Sequence, residues 1–170
     1  MALYDSTIPQ MKKMLNNLAK WLDNATTVAE KKSFDPNTWL TARLAVDQYA
    51  LVRQVQAACD TAKFVASRLS GKEAPSHPDT EKTMDELKAR IGKVVAFLET
   101  IKPADFAGVE TRKIPLPFME GKALLGADYV NELAVPNFYF HVGAAYQILR
   151  HYGVEVGKRD FLGDLKLQDL

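Results

Sequence analysis

With 170 residues, 22 Lys and Arg against 21 Asp and Glu, and a formal net charge of +1, the chain offers no electrostatic case for binding nucleic acid or an anionic membrane surface. A single cysteine, Cys59, excludes an internal disulfide framework and points to a reducing, cytoplasmic setting. No basic-then-apolar leader opens the chain, no apolar run approaches the ~20 residues of a membrane span, and the length suits one domain over residues 1–170.

Apolar periodicity predicts four amphipathic helices. In the first, Ile8, Met11, Leu15, Leu18, Leu22, Ala25 and Ala29 recur at alternating spacings of three and four, with Met14, Trp21 and Val28 widening the stripe. This helix should end near Ser33, because Asp35 precedes Pro36 and is pushed out of helical geometry. A second helix is expected from a cap at Asn37 or Thr38, with a break at 45–47, through Leu51, Val55, Ala58, Ala62, Val65 and Leu69 to Gly71. Arg53, Gln56, Asp60, Lys63 and Ser67 share its polar face, while Asp47 and Gln54 lie at the margin of its buried stripe. After a proline-bearing loop over 72–78, Met84, Leu87, Ile91, Val94, Leu98 and Ile101 mark a third helix that Pro103 ends.

The connection from Pro103 to Val135 exceeds an ordinary helix-to-helix loop, so it should carry structure of its own. Residues 112–117 and 122–125 fit a small ribbon whose prolines, Pro115 and Pro117, confine it to an edge. Asp128 is placed to cap a short helical turn through Leu133. The closing helix then runs from Pro136, tolerated in a first turn, to Gly153, suited to the left-handed residue past a helix end. Phe138, Val142, Ala145, Leu149 and Tyr152 form its apolar face, and Asn137 and His141, one turn apart, sit at the edge of that face. Beyond Gly153, Phe161, Leu162, Leu165 and Leu167 give the tail apolar surface with which to fold back. Four stripes that must cover one another make an all-α four-helix bundle, with a long, partly extended connection before the last helix and a C-terminal tail.

Few polar side chains face inward. His141 reads first as a bundle histidine hydrogen-bonded to a neighbour such as Gln54 or Tyr146, and second as a metal ligand. Asn137, beside Pro136, suits helix initiation or a site; Asp47 suits the helix break or a place next to His141. His151 fits the helix dipole, His77 a loop, and Cys59 a small core position rather than a nucleophile. Lys158, Arg159 and Asp160 form a solvated turn or an anion clamp. Tyr139, Phe140 and Tyr146 fall outside the centre of the closing helix's apolar arc, where a homodimer or a capping tail would cover them.

The runs Pro136-Asn-Phe-Tyr-Phe-His141, Ala145-Tyr-Gln-Ile-Leu-Arg150 and Gly157-Lys-Arg-Asp-Phe-Leu-Gly163 resemble the C-terminal signature of a bacterial family catalogued as a domain of unknown function, numbered nineteen-ninety-three. Arg53-Gln-Val-Gln-Ala-Ala-Cys-Asp60, Ala66-Ser-Arg-Leu-Ser-Gly71 and Glu86-Leu-Lys-Ala-Arg90 extend the resemblance over most of the chain. That family is similar in turn to the DinB-like (YfiT-like) superfamily of cytoplasmic, often homodimeric four-helix bundles. In the superfamily a His of the second helix and a His-x-x-x-His pair of the last commonly hold a divalent metal.

On that resemblance the pair falls on Asn137 and His141, and the second helix offers Gln54 and Asp47 in place of a His. Imidazole suits zinc or nickel, whereas amide oxygens are poor ligands for either, so the expectation is a degenerate metal site with no metal bound. His141, Asn137, Gln54, Asp47 and Tyr146 are its pocket candidates. The leading functional expectation is a soluble homodimeric bundle, non-enzymatic or at least uncharacterised, with a polar pocket around His141, Asn137 and Gln54. The alternatives are a metal-dependent hydrolase or thiol transferase with His141 on the metal, and a metal-free module that binds a small molecule.

Overall fold

Helices α1 (Leu3–Lys31), α2 (Leu51–Ser70), α3 (Met84–Glu99) and α4 (Val135–His151) form a bundle in the computed structural model, which describes residues 2–169. The order around the bundle is α1, α3, α2, α4, so that α1 and α2 stand diagonally and α3 and α4 fill the gaps between them. Each predicted stripe points inward except at Tyr152, which lies past the last turn of α4 and is 41 % exposed. Leu15, Leu18, Leu22 and Ala25 of α1 meet Leu51, Val55, Ala58 and Val65 of α2, Leu87 and Val94 of α3, and Phe138, Val142 and Ala145 of α4, all inaccessible to solvent. Burial of each large apolar side chain contributes about 1.5–3 kcal/mol relative to exposure, and this offsets the conformational entropy of ordering the helices.

The start of the second helix differs from expectation. A 3-10 turn, Pro36–Thr41, is capped by the Asp35 carboxylate, which accepts from the Asn37 N–H at 2.9 Å, and α2 begins only at Leu51. Residues 42–50 form a loop because their polar groups are satisfied locally: the Leu51 N–H reaches the Ala42 carbonyl at 2.9 Å, and the Leu44 N–H reaches Gln48 Oε1 at 3.1 Å. Asn37 does not cap the second helix. Its Oδ1 accepts from the Met84 N–H at 2.9 Å, at the start of α3, beside a capping box in which Thr83 and Glu86 satisfy each other's backbone.

At the far end of α2, Gly71 adopts the left-handed conformation at φ 79°. Arg112 Nη2 donates to the carbonyls of Arg68 and Leu69, at 2.8 and 2.5 Å, and so ties the following ribbon to the helix end. That ribbon is antiparallel, β1 (Lys113–Pro115) on β2 (Ala123–Leu125), with Ile114 opposite Leu124.

The closing helix also begins earlier than expected. Helical geometry starts at Gly126–Asp128 and passes through a π-helical turn, Tyr129–Ala134, before α4; Asp128 lies inside this run and makes no side-chain cap. Gly126 is required there, since a Cβ would collide with the Val109 carbonyl. Pro136 explains the wider turn. It has no N–H to give, and its ring conflicts with the carbonyl four residues back. The Val135 N–H instead reaches the Val130 carbonyl, five residues back, and the helix continues past the proline.

The tail folds back through a one-turn helix, α5 (Lys158–Leu162). Phe161 stacks on Trp21 at 5.5 Å and meets the edge of Tyr146 at 5.4 Å, while Trp21 Nε1 donates to the Asp160 carbonyl at 3.2 Å. Leu162, Leu165 and Leu167 do not join this plug and remain 41, 58 and 80 % exposed. A helix of five residues turns only Phe161 into the groove. No helix among the described residues is long and apolar enough to cross a membrane.

Candidate functional site

The seam between α2 and α4 is bridged by polar pairs at positions seven apart on α2. At the first, His141 Nδ1 stands 2.8 Å from Gln54 Oε1. Gln54 Nε2 donates to the Tyr49 carbonyl at 3.1 Å, which turns Oε1 toward the imidazole and makes Nδ1–H the donor. Nε2 is thereby left as the acceptor nitrogen, and among the described residues it has no hydrogen-bond partner. Burial, with the charge of Arg53 added, holds the ring below its ordinary pKa and so neutral at pH 7. Tyr49 lies parallel to it at 6.4 Å and Phe140 edge-on at 5.2 Å.

At the second position Asn137 Nδ2 donates to Thr61 Oγ1 at 2.8 Å, and the Thr61 hydroxyl donates to the Ala57 carbonyl at 2.7 Å. At the third, Arg68 Nη1 donates to Tyr129 Oη at 3.1 Å. The Arg68 guanidinium also covers the rings of Phe64 and Tyr129, at 5.3 and 5.8 Å, and among the described residues no carboxylate pairs with it.

These pairs border a cleft of about 410 Å³. Arg53, Ala57, Asp60, Thr61, Phe64 and Arg68 line its α2 side, Asp60 being paired with Arg90 and Lys63; Asn137 and His141 of α4, with Tyr129 and Leu133 of the π-helical turn, line the other, and Phe118 from the ribbon's turn stands at its mouth. Three of the sequence candidates therefore meet: His141 and Asn137 on the cleft wall and Gln54 behind His141. Asp47 is exposed in the 42–50 loop, which is not helical, and does not line the cleft. Tyr146 points to the other side of α4, against Trp21 and Phe161, with its hydroxyl 3.5 Å from the Val156 carbonyl. Thr61 and Arg68 are the residues that sequence reasoning missed. Their signal is the heptad step from Gln54, which keeps all three on one face of α2.

The donor set does not fit zinc or nickel. Among the described residues no three His, Cys, Asp or Glu side chains converge as a metal shell. Asn137 and His141, expected from the resemblance to be the ligand pair, are an amide whose nitrogen is bonded to Thr61 and an imidazole backed by a second amide.

A second polar cluster lies toward α3 and shares Arg53 and Asp60 with the cleft wall. Arg90 of α3, 2 % exposed, donates from Nη2 to Asp60 at 2.8 Å and from Nη1 to Glu81 at 3.0 Å and the Pro78 carbonyl at 3.2 Å, and its Nη2 ion-pairs with Asp79 at 3.0 Å. Lys63 pairs with Asp60 at 3.0 Å, Arg53 with Asp79, and Gln56 Nε2 donates to Glu81 at 2.8 Å. Burial would raise the Glu81 carboxyl, but hydrogen bonds from Gln56 and Arg90 and the guanidinium charge hold it below its ordinary value. Cys59, fully buried beside this network, is pushed up to about 12 chiefly by burial, which leaves it a neutral core thiol and no nucleophile.

The bundle order, the lead-in ribbon and the α2–α4 cleft together define a DinB-like four-helix bundle. A DinB family member protein from Shewanella denitrificans, known from a crystal structure, is similar at 48 % identity and a TM-score of 0.95, over 99 % of this chain and 96 % of that one. The family model described as Domain of unknown function (DUF1993) matches residues 3–162, and the chain belongs to that family. No curated protein matches it.

Proposed function

We propose that the chain is a metal-free binding module, cytoplasmic and homodimeric, whose α2–α4 cleft takes an amphipathic organic acid. The observation that carries this reading is Arg68, a guanidinium that no carboxylate among the described residues neutralises, opening on a cleft walled by Phe64, Phe118, Tyr129 and Leu133. A carboxylate matches the fork of Arg68, and an apolar body matches the walls. A hydroxyl or amine proton on the ligand matches the lone pair of His141 Nε2.

Calorimetric titration with phenylacetate and with octanoate tests this. Saturable binding is expected, lost in Arg68→Leu and absent for the corresponding primary amines; unchanged binding by Arg68→Leu would overturn the reading. The homodimer rests on Phe140, Phe118 and Tyr49, which stand 62, 66 and 54 % exposed around the same region. Light scattering should give twice the chain mass, and Phe140→Asp should reduce it to the chain mass.

A metal-dependent hydrolase or thiol transferase is favoured by one observation. His141 presents an unprotonated Nε2 while Gln54 fixes its ring, an arrangement that also suits a metal ligand. Stoichiometric metal in the purified protein would favour that second reading.

A further inference from the structure

We infer that a separate site for a small oxyanion, of the size and chemistry of phosphate, lies between α3 and the 76–81 loop, with Arg90 at its base. A guanidinium has five N–H groups. Arg90 donates hydrogen bonds to Asp60, Glu81 and the Pro78 carbonyl and ion-pairs with Asp79, while Nε is buried and unpartnered among the described residues. His77 Nδ1 is also buried without a partner. Both residues line one cavity of about 220 Å³, far more than the ~10–15 Å³ that a single water needs. Both residues that carry an orphaned atom line this cavity, and an occupant that reaches past its wall to both would satisfy them.

The charges on the cavity wall decide the sign of that occupant. Glu81 is held by Arg90 and Gln56, and Glu86 Oε2 accepts from the N–H groups of Lys82 and Thr83 in the capping box, so both carboxylates have partners, with Glu86 Oε1 the one carboxylate acceptor on the wall left over among the described residues. Lys93 lines the same cavity and pairs with no carboxylate among the described residues. Against that one acceptor stand three donors: Arg90 Nε–H, the Lys93 ammonium, and His77, whose neutral ring presents Nδ1–H in one of its two tautomers. An anion with several acceptor oxygens satisfies all three, and a neutral carbonyl satisfies one.

This site stands independently of the α2–α4 cleft, and the test separates them. The full chain is titrated with sodium phosphate by calorimetry and thermal shift, with sodium chloride at matched ionic strength as the comparison. Saturable binding of phosphate and a raised Tm are expected, with no such response to chloride. Lys93→Ala and His77→Ala should each weaken phosphate binding by roughly tenfold or more, as expected for a lost hydrogen bond to a charged group. Arg68→Leu, in the other cleft, should leave it unchanged. A response that chloride reproduces, that does not saturate, or that survives both Lys93→Ala and His77→Ala would overturn the site. So would its loss in Arg68→Leu, which would place the phosphate in the cleft. Arg90 is left intact because its removal breaks the surrounding ion network.

Discussion

Helix α2 carries polar side chains on two sides, and the two sides have opposite fates. Toward α3, Arg53, Gln56, Asp60 and Lys63 are locked by Arg90, Asp79 and Glu81 under the loop that follows α2. Toward α4, Gln54, Thr61 and Arg68 each reach one side chain across an open cleft. The first side balances three cations against three carboxylates, as buried charge must be balanced to persist. The second relies on neutral amides and a neutral imidazole, and leaves one guanidinium and one ring nitrogen with unused bonding capacity. Apart from Arg90 Nε, at the edge facing the 76–81 loop, the first side is a closed network that supports the fold. An incompletely paired one is where a ligand has something to gain.

Removing a partner from the closed side should have the largest effect. Arg90→Met leaves Asp60, Asp79 and Glu81 without their shared cation and should cost about 3–5 kcal/mol in urea unfolding. A loss as small as that of an exposed ion pair would show that the network is solvated and erase the contrast. On the open side, Gln54→Leu strands the His141 Nδ1–H and the Tyr49 carbonyl and should cost about 1–3 kcal/mol by the same measurement. It should also free the imidazole tautomer, visible in nitrogen chemical shifts.

Acid should act on both sides in a fixed order. His141 and His77 sit below their ordinary value of 6.5, each chiefly because burial disfavours the charged ring, so the unfolded chain takes up protons first. Their contribution is complete above 6.5 and is lost as pH falls toward the folded values. Glu81, held below its ordinary 4.5, loses its contribution in a second, more acidic window. Stability measured against pH should fall in that sequence, and His141→Gln should flatten the upper limb. The smallest effect belongs to Lys12→Ala. It removes a 3.3 Å pair with Glu99 whose side chains are 40 and 57 % exposed, and should change stability by less than about 1 kcal/mol.

The bundle was legible in the sequence because its four stripes repeat at the helical period, and Phe138 or Leu18 has nowhere else to go. Gln54 and His141 were legible as a pair for a related reason, since both interrupt the margin of an apolar face and must find a partner. The delayed start of α2 was not. It depends on Gln48 and Ala42 satisfying backbone groups within a loop, which no periodicity records. The π-helical turn was hidden because Pro136 reads as a helix start, and only the helical lead-in shows that the chain arrives there already coiled. Arg90 was hidden for a tertiary reason: its partners come from α2 and from the loop before α3, and their convergence is set by packing.

Metal analysis of protein purified without chelator, repeated on His141→Ala, bears most directly on the α2–α4 cleft. A seam closed by Gln54–His141 and Asn137–Thr61 hydrogen bonds should carry far less than one zinc or nickel per chain, with no difference between the two proteins. One metal per chain, lost in His141→Ala, would contradict it and make the cleft a metal centre.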